Sequence, residues 1–334
     1  MGFISDLFQK LGGAAPKDLL FVPNLQVAGT TPDPLVEDEC YVELYVESLR
    51  LSKARKLATK FQGVVYTFVD LPYQGDNRAK YAAVSKPDKL AALDEQSLDK
   101  VITVSRQMMG AAPWRGGSLH LELGLFSVKS GNLLTPIVDY VTRVSSTAGL
   151  SFVGAIKPFV PLLTEGMDIL AGQAGDTAIE VGVETNLSPT TSGYYAVIDQ
   201  SKTALDQTKL TIDPNDGKLL YGGAPLEAGY CVFSLRRALQ KVDYGEIPDL
   251  KEKWAALQTA IRSNKMSEAK DALTAFRLAT IASPDLITSD ARALVAKAKA
   301  KVDEAFDAAA PAGLVEEDDR PLLPMSSLEL YSTS

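Results

Sequence analysis

The chain has 334 residues, 46% of them hydrophobic and 23% charged, with 42 acidic residues against 34 basic ones and a net charge of −8. At roughly 100–200 residues per domain, this length predicts two domains. The ordinary composition and a mean hydropathy near zero exclude polytopic membrane, collagen-like, disulfide-scaffold and fully disordered classes.

Residues 1–18 read as a separate leader. Phe3, Ile4, Leu7, Phe8 and Leu11 recur at helical spacing and Gly12-Gly13 stops the pattern, which predicts one short amphipathic helix. Helices shorter than about 12–15 residues are marginal alone in water. This one is therefore expected to dock on its own body, on a partner or on a membrane surface. Asp6, Gln9 and Lys10 interrupt the apolar positions, so no secretory signal pattern is present. Asp6 also stands where a myristoylation pattern needs Ser or Thr. The longest apolar stretch, 144–156, is too short to span a bilayer and is rich in Gly, Ser and Ala. A cytoplasmic protein is expected, peripheral to the membrane if the leader inserts.

From about residue 19 to 130 the period is two. Val42, Leu44, Val46 and Leu49 fall near one face, with a slip around Ser48. Stretches 62–72, 100–106 and 118–128 are further strands, separated by turn clusters at 32–34, 72–77 and 113–117. Residues 131–172 interrupt the strands. Thr135-Pro136 reads as a helix start, and a second short helix is expected over about 160–171, so this apolar segment is expected to cover one end or face of the sheet. Strands resume at 177–185 and 193–199. A hairpin over 210–222 turns at Asp213 to Gly217, with Gly217 at positive φ, and a last strand covers 230–235.

From residue 248 the period is helical. Leu250, Trp254, Leu257 and Ile261 form one stripe, Ala269, Ala272, Leu273 and Phe276 the next, and after Ser283-Pro284 a third runs from Ala291 to Ala305. Residues 316–319 are an acidic run, and beyond them Leu322, Leu323, Leu328, Leu330 and Tyr331 make an apolar tip. Such a tip either docks on a partner or another copy, or folds back on its own domain.

The fold class expected is α+β. A mainly antiparallel β-sandwich covers 19–245, with an inserted apolar helical segment at about 131–172. A helical hairpin or three-helix unit follows over 246–310, then a flexible acidic tail over 311–334. Asp70 and Asp76 at one loop end and Asp213 and Asp216 at another make this sandwich resemble the C2-type arrangement, in architecture alone. The paired Asp-x-Asp loops of calcium-binding C2 domains are missing, and no metal site is predicted.

Catalytic patterns are scarce. His120 is the one histidine, on a strand where Leu119, Leu121, Leu123 and Leu125 share a face and His120, Glu122 and Phe126 share the other. No G-x-S-x-G elbow accompanies it, no phosphate loop and no dinucleotide fingerprint is present, and no catalytic residue or cofactor is predicted. Cys40 and Cys231 sit in apolar strands and read as reduced, buried thiols. Trp114 and Arg115, in a loop before a strong strand, read either as an exposed binding hot spot or as a plug at the sandwich end. The acidic balance and the lack of basic runs argue against nucleic acid.

The function expected is therefore a non-enzymatic interaction or assembly component. It would bind a protein partner or itself through Phe3, Ile4, Leu7, Phe8, Leu11, Trp114, Arg115, Leu328, Leu330 and Tyr331. Two alternatives stay open: membrane association through the leader and the apolar 146–172 segment, and a hydrolase with an unrecognised site.

Overall fold

The computed structural model describes residues 19–51, 61–74, 77–85, 101–129, 177–201, 203–307 and 321–331. The leader with Phe3, Ile4, Leu7, Phe8 and Leu11, the inserted segment 131–172 and the acidic run 316–319 lie outside the described residues.

The fold is α+β with mostly antiparallel sheets. The strands are β1 (Leu19–Val27), β2 (Tyr41–Arg50), β3 (Phe61–Gln74), β4 (Asn77–Ser85), β5 (Ile102–Pro113), β6 (Leu119–Lys129), β7 (Thr177–Leu187), β8 (Gly193–Ser201), β9 (Leu210–Ile212), β10 (Leu219–Tyr221), β11 (Ala224–Pro225) and β12 (Tyr230–Ala238). Eight form one sheet in the order β11-β10-β9-β1-β8-β12-β2-β5, and four form another in the order β4-β3-β6-β7. The β1–β9 pair is parallel and the other pairs are antiparallel.

Alternation builds the main core from residues of both sheets. Leu119, Leu121, Leu123 and Leu125 of β6 are all 0% exposed and join Val42, Leu44, Val46 and Leu49 of β2 in one cluster. Each leucine so buried contributes about 1.5–3 kcal/mol. Cys231 lies in this cluster, and burial pushes its thiol up to about 12, so it acts as a small hydrophobe. Phe126, on the face opposite these leucines, is 0% exposed, and its cross-strand partner Val64 is 1% exposed. Strand β6 thus buries apolar residues on both faces, and His120 near its start is partly exposed.

The slip around Ser48 is a bulge. Val46 pairs with Phe233 and Ser48 with Val232, leaving Glu47 as the extra residue. On the second face of the large sheet, the β9–β10 hairpin caps a smaller cluster that includes Leu20, Val22, Ile198, Ile212, Leu219 and Val232. Gly217 closes that hairpin at φ 69°.

Three α-helices follow among the described residues: α1 (Pro248–Arg262), α2 (Met266–Ile281) and α3 (Thr288–Ala305). Pro248 opens α1 at a position whose N–H would be unused anyway. Leu250, Trp254 and Leu257 meet Phe276, Leu294, Ala298 and Val302 in a separate core. Residues 321–331 fold back onto this core and bury Met325 at 0% and Leu328 at 4% exposure.

Candidate functional site

The seam between the sheet body and the helical unit brings several of the expected residues together. Tyr41 opens β2 and is fully buried; its hydroxyl donates to Asp290 Oδ2 at 2.6 Å and accepts from Ile287 N–H at 3.2 Å. Tyr331, from the returning tail, donates to the same carboxylate oxygen at 2.5 Å and accepts from Lys241 N–H at 2.8 Å. Burial, helped by the neighbouring phenol and by Asp290, pushes the Tyr41 hydroxyl far above its ordinary range. Burial and the bond to Asp290 push Tyr331 up as well.

Lys241 crosses the same seam. Its side chain is 0% exposed, with Nζ donating to Ala111 O at 2.7 Å and lying 3.4 Å from Asp243. Burial lowers its pKa, and Asp243, Asp285 and Glu43 oppose that shift. Arg115 bonds to Asp38 and donates from its other terminal nitrogen to Leu286 O at 2.8 Å. Asp38 also accepts from Thr288 N–H at 3.0 Å. Burial raises the Asp38 pKa, but the Thr288 bonds and the Arg115 charge together hold it below the ordinary carboxylate range.

Trp114 is 2% exposed inside the main core, so it anchors the loop from within and offers no outer surface. Its neighbour Arg115 is used as a tie between the two units. Leu328, Leu330 and Tyr331, expected as docking residues, are engaged within the chain. Leu330 N–H donates to Tyr244 Oη at 3.1 Å, and Tyr244 stacks edge-on to Tyr331 at 5.9 Å. Leu323 O accepts from Trp254 Nε1 at 3.0 Å and Gln258 Nε2 at 2.7 Å. His120 sits between Asn186 (3.2 Å) and Glu122 (3.4 Å), edge-on to Phe68. Asp70 pairs with Arg78 at 2.6 Å, and Asp213 and Asp216 accept turn N–H groups from Asn215 and Lys218, so each aspartate serves its own hairpin. Among the described residues, no group of three or more His, Cys, Asp or Glu is placed to hold a metal ion. No helix among them is long and apolar enough to cross a membrane.

An open surface lies on the helical unit. Between α2 and α3 runs a groove of about 580 Å³ whose lining includes Leu273, Ile281 and Val295 with Arg277, Arg292 and Lys299. No family model, no curated protein and no solved structure matches the chain. The groove must therefore be read from its own chemistry. Ile281 is 54% exposed, and Leu278 beside it is 66% exposed. Several lysines of the unit are matched: Lys265 by Glu268, Lys299 by Asp303, Lys301 by Glu304. Arg277 and Arg292 make no hydrogen bond or ion pair among the described residues.

The two arginines were not singled out by sequence, although a signal exists. Positions three and four away from Arg277 are Leu273, Thr274, Thr280 and Ile281, and those around Arg292 are Thr288, Ser289, Val295 and Ala296. Neither arginine has a carboxylate within helical reach, unlike the lysines above. Tyr41, Lys241 and Asp290 carried no such mark, because their partners lie far away along the chain.

Proposed function

We propose that the chain is a non-enzymatic interaction or assembly component whose helical unit docks a protein segment in the α2–α3 groove. The observation that carries this reading is the pair of unmatched arginines, Arg277 and Arg292, beside the exposed apolar residues Ile281 and Leu278. An apolar floor with a cationic rim suits an amphipathic segment carrying Leu-like anchors and carboxylates. The two sheets act in this reading as a β-sandwich scaffold, and the seam fixes the helical unit upon it. The tail residues 321–331 serve the scaffold and leave the groove free for a partner.

The test compares wild-type chain with an Ile281→Glu/Arg292→Glu variant, both positions being on the surface. Each is used for quantitative affinity capture from the native host and for light scattering of the purified protein. A stoichiometric partner, or a dimer, that the wild type holds and the variant loses is the expected result. Equal capture by both, or a lone monomer from both, overturns the reading.

A further inference from the structure

A second concavity lies at the opposite end of the chemistry, in the sheet body. Strand β1 breaks its ladder in mid-course. Pro23 has no N–H to give, Asn24 takes φ 54°, and pairing with β8 jumps from Val22–Ala196 to Leu25–Tyr194. Strand β12 overhangs β8 at the same end. Leu235 pairs with Gly193, the first residue of β8, whereas Arg236, Arg237 and Ala238 pair only with β2. The loop after β1 is fastened to the segment before β8: Leu35 N–H donates to Thr190 O at 2.9 Å, Ser192 N–H to Asp33 O at 2.7 Å, and Asp33 N–H to Ser192 Oγ at 2.8 Å. The bulge, the overhang and the fastened loop border a half-open cavity of about 380 Å³. That size falls in the range of small-molecule sites.

Its two arginines differ. Arg236 is committed: Nη2 donates to the Glu47 oxygens at 2.7 and 2.8 Å and to Ser105 Oγ at 3.1 Å, and the guanidinium stacks 3.8 Å above the Tyr45 ring. Arg237 makes no hydrogen bond or ion pair among the described residues, and its Nε is buried without an acceptor. A buried charged donor left unpaired is costly and marks a place for a missing acceptor. The Asn24 amide and the Thr31 and Thr191 hydroxyls, which also line the cavity, likewise have no bond among the described residues.

We propose that this cavity binds a small molecule through a single oxyanion, a carboxylate or a phosphate monoester, gripped by the Arg237 fork. A planar guanidinium matches both oxyanions in two-point geometry. Asn24, Thr31 and Thr191 supply neutral donors to the remainder. Asp33, the one carboxylate among the lining residues, stands on the exposed loop and disfavours a second anionic group at that rim.

The test is an NMR titration of the full chain at constant ionic strength, with 3-hydroxybutyrate in one arm and glycerol 3-phosphate in the other. Saturable shifts at the Ser192 and Gly193 amides and at Arg237 Nε–H are expected in at least one arm, and the arm that saturates identifies the oxyanion. Arg237→Gln is expected to weaken binding at least tenfold. Asn24→Gly, which keeps the left-handed backbone accessible, is expected to weaken it at least threefold; it provides a second reading should Arg237→Gln not fold. Lys270→Gln, at an exposed position of the helical unit, leaves the titration unchanged. No saturation in either arm, shifts reproduced by sodium chloride, or wild-type affinity in both Arg237→Gln and Asn24→Gly would overturn the proposal.

Discussion

Replacing Tyr41 with phenylalanine removes a single oxygen from the seam and leaves the buried ring in place. Two bonds are lost, the donation to Asp290 at 2.6 Å and the acceptance from Ile287 N–H at 3.2 Å. A hydrogen bond to a charged group contributes about 1.5–3 kcal/mol, and a buried N–H left without a partner costs about 1–3 kcal/mol. Ile287 is 3% exposed, so water does not readily replace the phenol. Asp290 keeps its bond from Tyr331, which places the first contribution toward its lower end. The expected loss is about 3 kcal/mol, roughly 100-fold in the folding equilibrium. Urea denaturation followed by fluorescence is the assay, because the chain's 2 tryptophans report separately on the sheet core (Trp114) and the helical core (Trp254). The Trp254 signal, read in a Trp114→Phe background, should move first. A double cycle with Tyr331→Phe should show coupling of at least about 0.5 kcal/mol, since both phenols share one carboxylate oxygen. A loss below about 1 kcal/mol, or strict additivity, would refute the view that Asp290 ties the two units together.

Three further outcomes are expected. Burial raises the Tyr41, Tyr331 and Tyr230 pKa values, Tyr230 to about 12. The unfolded phenols ionise first, so the stability these groups supply is complete below pH 10 and falls as pH rises beyond it; a phenolate absorbance titration with parallel melts checks this. Gly245→Ala sets a Cβ 3.1 Å from Ser326 N, so it should destabilise the tail by about 1–3 kcal/mol through crowding, measurable as faster proteolysis between residues 320 and 331. Removing residues 321–334 uncovers the sites of Met325 and Leu328, about 1.5–3 kcal/mol each, and leaves Trp254 Nε1 without Leu323 O; the helical unit should then melt before the sheet body in a thermal scan.

Much of the architecture was legible because local pattern and burial agree. The four leucines of β6 alternate in sequence and share one buried face, and the slip around Ser48 is the Glu47 bulge. The stripes through Leu250, Phe276 and Leu294 meet in one helical core. Strand β4 was less visible, since Asn77–Ser85 is rich in alanine and lacks β-branched residues until Val84. In β1, Pro23 obscured the run, and the same residue helps to open the cavity. Phe126 shows the limit of alternation: period two says which residues share a face, and only the tertiary structure says whether that face is covered. The tail admitted either of two fates by composition. Its return is decided by distant partners, Tyr244, Trp254 and Gln258, whose donors and acceptors are satisfied by its backbone.

The tail's return bears on how the protein is made. The sheet body is complete at β12, long before translation ends, whereas the helical core waits for Met325 and Leu328 and the seam waits for Tyr331. On the ribosome the first unit can form while the second still displays an open apolar stripe. A premature stop or frameshift ahead of residues 321–331 would therefore spare most of the mass yet strand that stripe permanently in the open. Cellular quality control would meet such a product as a well-made body carrying an unfinished one.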